Sequence, residues 1–94
     1  MKSFVIYSKS GCLNCILAKK YLDSMFIEHE YILCDEELFD DRDGFLARIE
    51  ELAGKQVTQF PMVFHDGLYL GGFQETKTFV TNLNKEFDMV LSMM

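Results

Sequence analysis

The chain has no tryptophan, a single proline and three cysteines in 94 residues, and its nine Lys and Arg are outnumbered by fifteen Asp and Glu. Each shortage excludes something. One proline and six glycines leave no linker or low-complexity tract, so residues 1–94 read as a single small domain. Three cysteines are an odd number and cannot close a disulfide framework. The formal charge of −6 opposes binding to nucleic acid or to an anionic membrane, because both need clustered Lys and Arg. No apolar run approaches the roughly 20 residues of a membrane span. The apolar stretch Phe4 to Tyr7 also falls short of the about 7–15 residues of a signal peptide. The expectation is a cytoplasmic monomer with no nucleic-acid and no membrane partner. What is present is ordinary: 49% apolar and 26% charged residues, the composition of a globular chain and not of a disordered one.

Hydrophobic patterning predicts seven elements. Ser3-Phe4-Val5-Ile6-Tyr7 is apolar, β-branched and aromatic, as a buried strand would be, and stops at the turn cluster Ser8-Lys9-Ser10-Gly11. Cys15, Ala18, Leu22 and Met25 then recur at helical spacing, with Leu17 and Tyr21 widening the face. Tyr31-Ile32-Leu33-Cys34 reads as a second buried strand, and the acidic stretch from Asp35 to Asp43 as loop or frayed helix. Phe45, Leu46, Ile49, Leu52 and Ala53 predict a second amphipathic helix, stopped by Gly54. Met62-Val63-Phe64 and Leu68-Tyr69-Leu70 flank an Asp66-Gly67 turn and predict a hairpin. Gly71-Gly72 breaks that strand, and Phe79, Val80, Leu83, Phe87, Val90 and Leu91 predict a last helix. The order β-α-β-α-β-β-α places the chain in the α/β class, with a parallel βαβ unit and an antiparallel pair. Met89, Met93 and Met94 suggest a softly packed C-terminal end.

Chemistry concentrates in Cys12-Leu13-Asn14-Cys15. Cys12 falls where a strand ends and a helix begins, beside unpaired backbone N–H groups and the positive end of the helix dipole. Both stabilise a thiolate and lower its pKa, and Lys9 adds a positive charge upstream. Cys15 lies one helical turn on, within bonding reach of Cys12. A mixed disulfide on Cys12 is then open to attack by Cys15, which is the chemistry of thiol–disulfide exchange. Two other uses of the pair compete. Zinc takes cysteines at this spacing, but only Cys34, His29 and His65 remain as further ligands, with no second CxxC. Alternatively, both thiols are small core residues. Pro61 opens a strand, where a cis Phe60–Pro61 bond would turn the Phe60 backbone toward the cysteines and an extended, peptide-like substrate. Gly71-Gly72 permits close backbone approach ahead of a helix N-terminus that would attract a carboxylate.

Ser8-Lys9-Ser10-Gly11-Cys12-Leu13-Asn14-Cys15, followed by Phe60-Pro61, Asp66-Gly67 and Gly71-Gly72, resembles a dithiol glutaredoxin of the thioredoxin superfamily. The likeness extends from Phe4 to about Phe87. It implies a thioredoxin-like fold, a four-stranded mixed sheet flanked by helices, with a cis peptide before Pro61. It implies that Cys12 attacks a disulfide or glutathionylated substrate and Cys15 resolves it, with glutathione as reductant and no metal. By the same resemblance the glutathione site would comprise Lys9, Asn14, Gln59, Phe60, Pro61, Gly72, Gln74 and Glu75. Lys9 and the backbone around Gln74 would meet its carboxylates, Phe60 its cysteinyl part and Glu75 its α-amino group. Lys19 matches a basic residue often present in the family's first helix.

The chain departs from the family pattern at several positions. Leu13 and Asn14 stand where Pro-Tyr is usual, Gln59-Phe60 where Thr-Val is usual, and Glu75 where Asp is usual. Losing the proline alters the balance between oxidised and reduced helix starts, and losing the aromatic removes a wall of the glutathione groove. The expected function is a glutathione-dependent oxidoreductase that reduces protein disulfides or glutathione mixed disulfides and supports redox homeostasis. Two alternatives accompany it. The polar residue between the cysteines, Gln59-Phe60-Pro61 and Gly72-Phe73 also resemble small redoxins that take electrons from thioredoxin reductase and pass them to ribonucleotide reductase. A metal or iron–sulfur module held by Cys12 and Cys15 is the other. Cys34 reads as a small core residue with a regulatory thiol as the rival use. His29 and His65 read as surface residues without partners, and the acidic group from Asp35 to Asp43 as a solvated face.

Overall fold

The computed structural model describes residues 3–93, with side chains through Leu83. The chain runs β1 (Phe4–Ser8), α1 (Leu13–Ser24), β2 (His29–Leu33), α2 (Asp35–Ala53), β3 (Met62–His65), β4 (Leu68–Gly71) and α3 (Phe73–Met93). The strand order is β2-β1-β3-β4. β1 pairs parallel with β2 (Phe4 opposite His29) and antiparallel with β3 (Phe4 opposite His65), and β3 pairs antiparallel with β4. This is the four-stranded mixed sheet that the element order implies.

Alternation along the central strands sorts side chains between two cores. Phe4, Ile6 and Val63 face Ala18 and Leu22 of α1 and Val80 of α3. Met62 and Phe64, with Tyr7 half-buried, face the opposite layer, where Phe45 and Ile49 of α2 join Cys34 and Val57. Ile6, Leu22, Ile49, Val63 and Val80 are almost wholly buried. Each such side chain contributes about 1.5–3 kcal/mol through lost apolar hydration.

Several sequence expectations change here. β2 begins at His29 and lies at the sheet edge, and Leu33 is 53% exposed, so it is not a buried strand. The acidic stretch is helical from Asp35; only Asp41 leaves helical geometry, at φ −157° and ψ 77°. There its Oδ1 accepts the Gly44 N–H at 3.0 Å, which caps the segment carrying Phe45 and Ile49. Leu52, expected on the packed face, is 58% exposed, and Met25 is the exposed C-cap of α1. Gly54 ends α2 at φ +77°, and Asp66 and Gly67 turn the hairpin at φ +50° and +83°, as their residue types predict. The expectations for Phe87, Val90 and Leu91, and for Met89, Met93 and Met94, lie outside the described side chains. Among the described residues no helix is long and apolar enough to cross a membrane.

Candidate active site

Parallel pairing of β1 and β2 brings their C-terminal ends to one edge of the sheet, and polar contacts tie those ends together. The buried Ser8 hydroxyl donates to the Ile32 carbonyl at 3.0 Å, while the Ser8 carbonyl accepts the Cys34 N–H at 2.8 Å. Beyond Ser8, Gly11 takes φ +73° and delivers the chain to the start of α1. Cys12 occupies the N-cap with extended backbone geometry (φ −104°, ψ 105°). Its Sγ accepts the Cys15 N–H at 3.1 Å, the place usually filled by a Ser, Thr, Asp or Asn oxygen. The same N–H and the dipole of α1 favour negative charge on that sulfur once the pair is reduced.

Cys12 and Cys15 are joined as a disulfide with their Cα atoms 5.3 Å apart. Their exposure differs. Cys12 is half-buried, whereas Cys15 belongs to the fully buried face of α1. An external disulfide therefore reaches Cys12 and not Cys15, which separates an attacking sulfur from a resolving one.

Asp35, read from the sequence as part of a solvated face, has a specific job instead. Its Oδ1 accepts the Ser10 N–H at 2.8 Å and its Oδ2 accepts the Ser10 hydroxyl. The two Ser10 hydrogen bonds, side-chain first, hold the Asp35 carboxyl below its usual range, and Lys9 adds a smaller pull. The first residue of α2 thus clamps the loop that carries Cys12. The strand order puts Ser10 and Asp35 each just past the end of one of two parallel strands, but nothing in the sequence says that their side chains meet.

Cys34 reaches the same sheet edge but points into the core, 1% exposed, with its thiol 3.6 Å from the Ile32 carbonyl. Burial, then the charge of Glu37, pushes that thiol up to about 11. It is a small core residue. His29 departs from its reading as a surface residue without partners: its ring is nearly buried, Nδ1–H donates to the Ile27 carbonyl at 2.9 Å, and Nε2 lies 3.4 Å from Asp23. His65 packs between the rings of Phe4 (4.5 Å) and Phe79 (4.9 Å) and lies 3.7 Å from Asp66. Lys19 pairs with Asp23 at 3.0 Å. Among the described residues no three His, Cys, Asp or Glu side chains gather as metal donors.

Beside the cysteines lies a groove of about 220 Å³. Asn14 of α1 forms one side, and Gln59, Phe60 and Pro61 ahead of β3 form another. Gly72, Gln74 and Glu75 close it at the start of α3. The structure thus gathers seven of the sequence-derived residues in one concavity. Lys9 joins them indirectly, with Nζ 5.5 Å from the Phe60 ring centroid. The Phe60–Pro61 peptide is cis. Two further lining residues, Tyr69 of β4 and Phe73 of α3, are not among the site residues that the sequence singles out. The sequence marks Tyr69 only as a strand position and Phe73 only as the partner of Gly72 in the redoxin resemblance, after a glycine pair whose turn hides which way the next side chain points.

Glu75 has a structural duty as well. Gly72 precedes α3, and its N–H donates to Glu75 Oε1 at 2.7 Å, while the Thr76 hydroxyl donates to the Gly72 carbonyl at 2.8 Å. This is the glutamate half of a capping box, with glycine in place of the usual Ser or Thr. Gly71, at φ +130°, has no room for a side chain: a Cβ there would sit 2.6 Å from Glu75 Cγ. One oxygen of Glu75 is therefore committed to the helix start.

The family model for glutaredoxin matches residues 4–70. The chain is similar to the mitochondrial glutaredoxin-2 of Rattus norvegicus, with 28% identity over 72 residues, and spans 43% of that relative's length against 77% of its own. Among solved structures, glutaredoxin 1 of Francisella tularensis superposes with a TM-score of 0.74 at 23% identity, covering 87% of this chain and 95% of that one, a likeness of fold. The buckwheat glutaredoxin–glutathione complex gives a TM-score of 0.66 at 26% identity, over 95% of this chain and 74% of that one.

Proposed function

The chain belongs to the glutaredoxin family, and from that premise we propose that it is a glutathione-dependent thiol–disulfide oxidoreductase acting on protein disulfides and glutathione mixed disulfides. One observation carries the reading: a reachable Cys12 sulfur at a helix N-cap, with a buried Cys15 whose Cα is 5.3 Å away. In the reduced protein the Cys12 thiolate attacks one sulfur of a substrate disulfide and displaces the other as a thiolate, which takes a proton. A mixed disulfide remains on Cys12. Cys15 gives up its proton and attacks Cys12 Sγ, so the second substrate thiol leaves and the Cys12–Cys15 disulfide forms. One glutathione thiolate then opens that disulfide at Cys12. A second displaces the bound glutathione, releasing glutathione disulfide and restoring both thiols.

The groove supports glutathione as the partner. Asn14, between the two cysteines, lines it, and the start of α3 presents helix N–H groups to a carboxylate. Glu75 Oε1 caps Gly72, so its second oxygen is the one open to an α-amino group. Disulfide-bearing proteins are the macromolecular substrates, with ribonucleotide reductase among them. A monomer in the reducing cytoplasm fits a pair that must cycle and a Cys34 that stays a thiol.

The test follows reduction of the oxidised protein by glutathione, and by thioredoxin reductase with NADPH, side by side. Reduction by glutathione is the expected result, with Cys12→Ser inactive and Cys15→Ser losing dithiol reduction only. Full activity of Cys12→Ser, or reduction by thioredoxin reductase alone, would overturn the reading.

A further inference from the structure

The groove does not end at Gln59 and Tyr69. A second concavity of about 240 Å³ shares both of them, with Lys55, Val57 and Thr58 as further lining. Gln59 and Tyr69 are common to both concavities, so the two form one trough leading from Asn14, between the cysteines, to Lys55. Each half carries a lysine over an aromatic wall: Lys9 lies 5.5 Å from the Phe60 ring centroid and Lys55 lies 5.5 Å from that of Tyr69. Among the described residues neither lysine has a carboxylate within ion-pair distance. An ammonium resting on an aromatic face is held in place without being neutralised, and its N–H donors remain available to an anion. In a chain of net charge −6, an exposed cation with no carboxylate partner, resting on Tyr69 at the end of the trough, is a selective feature.

We infer that the Lys55 end of the trough is a substrate subsite that takes the carboxylate of an Asp or Glu flanking the disulfide cysteine of a polypeptide substrate. The inference rests on the thiol–disulfide activity proposed above and names a class within its substrates. The polypeptide lies along Gln59 toward Tyr69 with its sulfur at Cys12, and Lys55 reads charge beyond the half of the trough that a tripeptide would occupy. Its charge complementarity favours acidic segments over neutral or basic ones. The strength is that of an exposed ion pair, about a two- to fivefold preference.

The experiment uses disulfide-linked peptides in which one Glu is moved stepwise along the flanks of the cysteine, each paired with its Gln counterpart. At the best position the wild type should reduce the Glu peptide about two- to fivefold more efficiently, through a lower KM, and added salt should weaken the preference. Lys55→Arg should keep the preference, Lys55→Gln should abolish it and Lys55→Glu should invert it. A preference that persists in Lys55→Gln overturns the inference. So does an unchanged peptide ratio accompanied by a raised KM for glutathione, which would give the subsite to glutathione. Equal reduction of both peptides by the wild type sinks the subsite alone. A wild type that reduces neither sinks the oxidoreductase reading with it.

Discussion

Treating the fully reduced protein at pH 7 with an aromatic disulfide that releases a coloured thiolate should resolve its three thiols into two kinetic phases. Cys12 attacks and releases one coloured thiolate; Cys15, its Cα 5.3 Å away, displaces a second. The burst is then two per chain, and Cys34 supplies the third slowly. The delay can be sized. Burial holds the Cys34 thiol at about 11. Against an ordinary thiol near 8.5, its thiolate fraction at pH 7 is about 300-fold smaller. The more basic thiolate is intrinsically a better nucleophile, by roughly tenfold for that difference, so ionisation alone slows Cys34 by about 20- to 30-fold. Its 1% exposure slows it further, while the N-cap position accelerates Cys12. The pH profile carries the sign: the Cys34 phase should quicken about tenfold per pH unit between 7 and 10, while the burst levels off at lower pH. Cys15→Ser should cut the burst to one. Three thiolates released in a single phase would refute both the buried Cys34 and the selective activation of Cys12.

Two further outcomes concern the frame that holds the site. The Asp35 carboxyl is held down by Ser10, so the stability it contributes is present above the ordinary carboxyl value near 3.9 and is lost as pH falls through its lower folded value. Asp35→Asn should therefore show a shallower acid limb in denaturant midpoint against pH, and an acid limb identical to wild type would contradict the clamp. Thr76→Val removes the buried hydroxyl that donates to the Gly72 carbonyl at 2.8 Å and should cost about 1 kcal/mol by denaturant unfolding, whereas an unchanged midpoint would remove this contact from the account of the groove wall.

Much of the architecture was legible because periodic and local signals report local structure. The spacing of Cys15, Ala18 and Leu22 marked the buried stripe of α1, Gly54 the end of α2, and Asp66-Gly67 the hairpin turn. The Cys12–Cys15 pair was legible for the same reason, since one helical turn sets its separation. The cap that Glu75 makes on Gly72 spans three residues, yet glycine at the cap position concealed it. Exposure was less legible. Leu33 and Leu52 carry apolar side chains at plausible core positions, but a hydrophobic pattern cannot say which strand lacks a second neighbour, or that Leu52 borders an open cavity with Val5, Tyr7 and Phe64 instead of a filled core.

By itself, then, the order of residues determined the element sequence, the reactive pair and the helix start that polarises it, because those depend on neighbours a few positions apart. Tertiary structure alone decided that Asp35 holds Ser10 across 25 positions, that His29 turns inward toward Asp23, and that Tyr69 joins Gln59 between the two halves of one trough. Those meetings follow from packing: parallel strands deliver their loops to a common edge, and which polar groups meet there is set by three-dimensional proximity, which no periodicity in the chain encodes.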